Sequence, residues 1–291
     1  MKWGLCLTAL AALILPLALT GCSGTGSEGI CVEGSDTMVN VAQAWAEKYR
    51  QKHPDITVQV QGGGSGVGIA SLIGGVCDMA NASREMEDEE KEAIKTEHGG
   101  KEAVEHIVGY DAMAVYVHKD NPLDEISIEQ LGEIYGEGGS ITDWQQLGVP
   151  ADSPAKGEIA LVSRQNSSGT YLYFQEAVLG KTREYRLDAV KMNGSKDVVA
   201  HVANTPAAIG YSGMGYATAG VKMLKVSPKK GEPAIAPTVE NAQNGAYPIT
   251  RPLLIYTVGE PTGMIKDYLD WIEGPEGQAV VGELGYVPLS Q

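Results

Sequence analysis

From residue 30 onward two hydrophobic patterns take turns along the chain. Ile30-Cys31-Val32 is a short apolar run that predicts a strand. Met38, Val41, Ala42, Trp45 and Tyr49 then recur at spacings of three and four, which puts them on one face of a helix stopped by His53-Pro54. Ile56-Thr57-Val58-Gln59-Val60 alternates as a strand does. Gly62 to Gly66 reads as a loop, Val67 to Ile73 as a second helix and Val76 to Ala80 as a strand. Glu85 to Glu97 predicts an acidic helix with a solvated face. Ile107 to Val117 is rich in β-forming residues, and Asn121-Pro122 interrupts it. Ile128 to Ile134 predicts a short helix. Ile159 to Val162 predicts a strand that leads through residues 163–170 into a helix starting near Tyr171. Ala208 to Tyr211 and Leu253 to Thr257 predict further strands, and Met264 to Ile272 a helix. The Pro- and Gly-containing stretch from Ser227 to Pro237 reads as a surface loop. Repeated strand–loop–helix units predict an α/β fold with mostly parallel sheets and right-handed crossovers.

The N-terminus has a different pattern. After Lys2, Leu5 to Leu19 is apolar apart from Thr8 and Pro16, which is short for a spanning helix but right for an export signal. It ends in Leu19-Thr20-Gly21-Cys22, which resembles the lipobox of bacterial lipoproteins. That resemblance implies removal of residues 1–21, diacylation of Cys22 and a small, polar tether over 22–27. Cys31 and Cys77 remain in an oxidising compartment, where two readings stand: a disulfide, or two free buried thiols. Two cysteines without a histidine cluster predict no metal site.

The chain has 291 residues with 22 Lys+Arg against 37 Asp+Glu, a formal charge of −15. Its length allows one large domain or two of ordinary size. Such acidity argues against nucleic acid as a partner and against a polybasic membrane surface. It does not exclude a small anion, because a site made of backbone N–H groups and hydroxyls needs little formal charge.

Three strand-to-helix loops have that composition. Ser35-Asp36-Thr37 can cap a helix or present donors to a ligand. Gly64-Ser65-Gly66 fits neither a P-loop nor a nucleophile elbow. Arg164 with Ser168-Gly169-Thr170 sets a rigid guanidinium fork beside a helix start that has hydroxyls on both sides of a glycine. In an open α/β sheet such loops lie at the carboxyl ends of the strands, where ligands bind. His53, His98, His106, His118 and His201 form no ligand-spaced cluster, and no catalytic motif appears, so a binding protein is expected and an enzyme is not.

These segments resemble the PstS-type phosphate-binding proteins of bacterial phosphate ABC importers. The resemblance rests on Gly34-Ser35-Asp36-Thr37-Met38, Gly62 to Gly66, Asp78 to Arg84, Ile126 to Leu131 with Asp143-Trp144, Arg164 to Thr170 and Ala208 to Tyr211, in that order. It implies a two-lobed periplasmic-binding-protein-like fold of type II, with a cleft between lobes joined by two hinge crossings. The lobes are expected at 28–111 plus 251–291 and at 112–250. It implies an exported monomer, lipid-anchored at Cys22, that captures inorganic phosphate and delivers it to a membrane permease without a cofactor. By the same resemblance Thr37 supplies an N–H and a hydroxyl, Met38 an N–H, Ser65 a hydroxyl and Arg164 the fork. Ser168, Gly169 and Thr170 form the second lobe's cradle, and Ser35, Gly66 and Ser83 are expected among the phosphate-binding residues. Many relatives carry an Asp that accepts the proton of hydrogen phosphate; this chain has Ser83 there, followed by Arg84. Two replacements are expected, each against a plainer reading: Asp36 as acceptor or merely a helix cap, and Arg84 as a site cation or merely a partner of Glu85 or Glu87. The missing Asp keeps sulfate, phosphite and arsenate open as ligands. A sensor or adhesin role on the same fold also stays open.

Overall fold

The computed structural model describes residues 28–290. The export signal, Cys22 and the tether lie outside them.

The first half of the chain builds β1 (Glu28–Gly34), α1 (Val39–Lys52), β2 (Ile56–Gln61), α2 (Ser65–Ile73), β3 (Met79–Ala82) and α3 (Asp88–Glu97). A 16-residue strand, β4 (Ala103–His118), then runs on to β5 (Glu125–Ser127) and α4 (Ile128–Tyr135). Next come β6 (Ala160–Arg164), α5 (Gly169–Phe174), β7 (Val190–Met192), α6 (Ser195–Asn204), β8 (Ala208–Gly213), β9 (Val221–Met223), β10 (Lys225–Ser227) and α7 (Val239–Gln243). The chain returns through β11 (Thr250–Val258) and ends in α8 (Gly263–Glu273) and α9 (Pro275–Glu283). Three of these helices, α6, α7 and α9, have no counterpart among the elements the sequence pattern predicts.

The main sheet has the order β2-β1-β3-β11-β4-β8-β6-β7, with β9 also paired to β4. It is mixed, not mostly parallel as expected. Both ends are parallel: β1 with β2 and β3, and β6 with β7 and β8. The middle is antiparallel: β11 with β3 and β4, and β4 with β8. The reason is topological. β4 carries the chain out of the first lobe and β11 brings it back, so the two must run in opposite directions. β4 changes partners along its length: Ala103 to Ala112 lie against β11, and Met113 to Val117 against β8.

The predicted apolar face of α1 is the buried one, with Val41, Ala42, Trp45 and Tyr49 inside. The C-terminal helices cover it. The Trp45 indole N–H donates to Gly277 O at 2.8 Å, and Tyr49 meets Tyr268 edge-on at 4.8 Å. In the second lobe the single phenylalanine, Phe174, stacks on Tyr211 at 3.7 Å and meets Tyr135 edge-on. Ser127 and Gln130 form a capping box that starts α4.

One predicted strand begins later than expected. Val76 is 71% exposed, and β3 starts at Met79. Gly74 ends α2 and Gly75 turns the chain at φ +65, a conformation glycine adopts at little cost, so residues 76–78 belong to the turn. Cys77 therefore leaves the sheet. Both Cys31 and Cys77 are free thiols, so the disulfide reading does not hold in this structure. Cys77 Sγ turns toward Gly68 O at 3.8 Å, and burial pushes its thiol up to about 12. A thiol so buried has almost no thiolate with which to begin exchange.

Candidate functional site

Three loops converge between the lobes. In the first lobe, Ser35-Asp36-Thr37 precedes α1 and Ser65 opens α2; in the second, Gly169 and Thr170 open α5. The Thr37 and Thr170 hydroxyls meet across the cleft at 2.8 Å. Ser83, at the end of β3, joins the first-lobe hydroxyls: Ser35 Oγ donates to Ser83 Oγ at 2.9 Å, and Ser83 N donates to Ser65 Oγ at 3.0 Å. Ser35, Thr37, Ser65, Ser83, Ser168 and Thr170 are each no more than 2% exposed. Gly169 is required at the meeting point, because a Cβ there would lie 2.3 Å from Ser65 Oγ and 2.8 Å from Ser83 Oγ. Further bonds close the rim: Gly66 N donates to Ser167 O at 3.0 Å, and Ser167 Oγ donates to Gly63 O at 3.2 Å. So many buried hydroxyls bonded to one another make a donor-rich cluster, which suits an anion.

The cation among these hydroxyls is Arg251, which the sequence reading did not single out. It begins the return strand β11 and is 1% exposed. Its Nη2 donates to Thr37 Oγ1 at 3.1 Å, to Thr170 Oγ1 at 3.0 Å and to Asp111 Oδ2 at 2.9 Å. Its Nε also donates to Asp111 Oδ2, at 3.2 Å, and its Nη1 to Ser83 O at 3.1 Å. Asp111 is fully buried; burial pushes its carboxyl up, and the guanidinium pulls it back. The available signal was a charged residue in each of two apolar strand patterns, in Thr250-Arg251-Pro252-Leu253 and in Tyr110-Asp111-Ala112.

Arg164 occupies a different place from the one expected. It is fully buried, and its guanidinium reaches Asp36 Oδ2 at 2.8 Å, Asn193 O at 2.9 Å and Ser195 Oγ at 3.1 Å. These contacts lie beside the hydroxyl cluster and join the lobes by an ion pair. Asp36 spends its other oxygen on Gly63 N at 3.0 Å. Neither alternative for Asp36 fits: both its oxygens are engaged away from the hydroxyls, and α1 has Met38 at its cap position with no side-chain cap bond. The Met38 N–H, expected to face the ligand, donates to Ser35 O at 2.9 Å.

Arg84 binds neither the hydroxyls nor the expected glutamates' carboxylates. It grips Glu90 with two bonds of 2.7 and 2.6 Å and donates to Glu85 O at 2.7 Å. Glu90 lies one turn into α3, where it also accepts from Glu87 N, so the capping box of that helix presents it to Arg84. Two tyrosines complete the first-lobe loop. Tyr216 donates to Asp36 O at 2.7 Å and Tyr286 to Thr37 O at 2.6 Å. Burial pushes the Tyr216 phenol up to about 12, so it remains a donor at neutral pH.

Comparison with known proteins agrees with this geometry. Residues 22–276 match the family model described as a PBP superfamily domain. The chain is 35% identical over 266 residues to the phosphate-binding protein PstS of Pseudomonas aeruginosa, covering 88% of this chain and 81% of that one. It is 32% identical over 266 residues to PstS of Bacillus subtilis, covering 91% and 82%. Among solved structures it resembles one from Clostridium perfringens, described as a phosphate ABC transporter substrate-binding protein with bound phosphate, at a TM-score of 0.80 and 31% identity, covering 90% of this chain and all of that one. An ABC-type phosphate transport receptor from Vibrio cholerae matches at a TM-score of 0.69 and 27% identity, covering 89% and all of its chain. A buried hydroxyl cradle closed by two lobes, in a chain so similar to these proteins over nearly its whole length, places it in the PBP superfamily, among the PstS-type phosphate-binding proteins.

Proposed function

We propose that this chain captures inorganic phosphate between its lobes and delivers it to the membrane permease of an ABC importer. One observation carries the reading: buried hydroxyls from both lobes converge, and those of Thr37 and Thr170 share the guanidinium of Arg251. A tetrahedral anion touching both lobes favours the arrangement in which they are closed, so binding and closure are one equilibrium. The chain is a binding protein in this reading, not an enzyme. Its lobes are 28–111 with 251–291 and 112–250, a division supported by β4 changing partners between Ala112 and Met113. It works outside the cytoplasm as a monomer held to the membrane through Cys22, a reading supported by the lipobox-like Leu19-Thr20-Gly21-Cys22. No helix among the described residues is long and apolar enough to cross a membrane.

A second reading, another tetrahedral oxyanion, is favoured by one feature: a serine, Ser83, bonds to the Ser35 and Ser65 hydroxyls where many relatives carry an Asp, and Asp111, the carboxylate that shares Arg251 with the threonines, is held by that guanidinium. Titration calorimetry of the refolded, ligand-stripped chain with phosphate, sulfate, phosphite and arsenate decides between them. Saturable heat with phosphate at the lowest concentrations is the expected result. A tighter response to another of the four would transfer the assignment to that ion, and no heat with any would remove the oxyanion reading altogether.

A further inference from the structure

We infer that Arg251 contacts the bound anion with its positive charge, and that it reaches both lobes from the hinge. This inference rests on the cleft being the phosphate site.

The first support is donor arithmetic. Nη2 carries two hydrogens, yet three acceptors lie within hydrogen-bond distance: Asp111 Oδ2 at 2.9 Å, Thr170 Oγ1 at 3.0 Å and Thr37 Oγ1 at 3.1 Å. The carboxylate is the strongest acceptor and keeps one hydrogen. Two neutral hydroxyls, only 2.8 Å from each other, compete for the second. Hydroxyls that accept from a cation are weak partners for it, whereas an anionic oxygen makes a bond about twice as strong as a neutral one. An anion at the two threonines therefore displaces them as acceptors and turns their own hydrogens toward itself.

The second support is position. Arg251 and Asp111 face each other directly across the β4–β11 ladder, in the two strands that connect the lobes. The guanidinium is fixed by bonds to Asp111 and Ser83 O. Its remaining reach spans Thr37 from the first lobe and Thr170 from the second. It is thus the one cation that bonds to the hydroxyls of both lobes among the contacts described for these residues. Arg164, by contrast, bonds to a carboxylate, a carbonyl and Ser195. Tyr173 lies against the guanidinium face at 5.6 Å, which leaves its edge for polar partners.

The test is calorimetric titration of inorganic phosphate into the full chain and its Arg251→Lys variant, with thermal unfolding recorded for both. Lysine keeps the charge but cannot hold Asp111, Ser83 O and an anion together from one fork. The expected result is a folded variant whose phosphate affinity falls by at least about tenfold. Equal affinity in a folded variant overturns the inference while leaving the phosphate reading intact. No phosphate binding by the unaltered chain overturns the phosphate reading first and the inference with it. Should the variant not fold, a crystal structure of the unaltered chain with phosphate decides. An Arg251 nitrogen within about 3.2 Å of a phosphate oxygen supports the inference, and a separation beyond hydrogen-bond range overturns it.

Discussion

Arg164 and Arg251 are both buried, both paired with an aspartate and both at the cleft, yet they are built on opposite plans. The carboxylate that neutralises Arg164 belongs to Asp36, in the other lobe and 16% exposed. That ion pair forms only when the lobes meet. The carboxylate that neutralises Arg251 belongs to Asp111, directly opposite in the same hinge ladder and fully buried. That pair does not depend on closure, and neither does the bond to Thr37 in the same lobe; only the bond to Thr170 does. One arginine therefore acts as a clasp and the other as a preset cation. Burial lowers the pKa of Arg164, but a guanidinium starting so high stays charged, so the clasp operates at every physiological pH.

This contrast can be tested by substitution. Asp111→Ala strands a guanidinium in the interior, and it is expected to destabilise the fold by about 3–5 kcal/mol in urea or thermal unfolding. A loss under about 1 kcal/mol would mean that the hinge pair is not the buried unit described here. Arg164→Ala removes the clasp from the second lobe and is expected to weaken phosphate binding at least about tenfold in calorimetry. Unchanged affinity would take Arg164 out of the closed state's energetics. Asp36→Asn keeps the shape and the bond from Gly63 N but loses the charge. A loss of roughly three- to tenfold in phosphate affinity is expected, with the preference over sulfate unchanged. A changed preference would return Asp36 to the role of proton acceptor. Arg84→Ala is the smallest perturbation. Its ion pair with Glu90 stays within the first lobe, so phosphate affinity should move by no more than about twofold.

Much of the fold was legible because local pattern and tertiary outcome agree. The spacing of Val41, Ala42, Trp45 and Tyr49 names the buried face of α1. Ser, Thr and Gly before α1, α2 and α5 name the three loops that meet at the site. The register of β3 was not legible, since Val76 and Cys77 are apolar by composition but belong to a turn set by Gly74 and Gly75. The cation of the hydroxyl cluster was not legible either. Arg164 adjoins a recognisable motif, whereas Arg251 is 214 positions from Thr37 and comes near it only through the pairing of β11 with β4 and β3. Charged residues inside apolar strands, here Asp111 and Arg251, were the sign to follow, because an isolated buried charge is too costly to persist without a partner. The overall charge of −15 misleads in the same way: exposed carboxylates beyond about 8–10 Å are screened, while the site is decided by donors in contact.

Capture by closure is open to small-angle X-ray scattering on the ligand-stripped chain. If phosphate joins Thr37 to Thr170 and brings Asp36 to Arg164, adding it should lower the radius of gyration in a saturable way, and sulfate at the same concentration should do so less. A chain that binds phosphate with no change in its scattering would contradict capture by lobe closure.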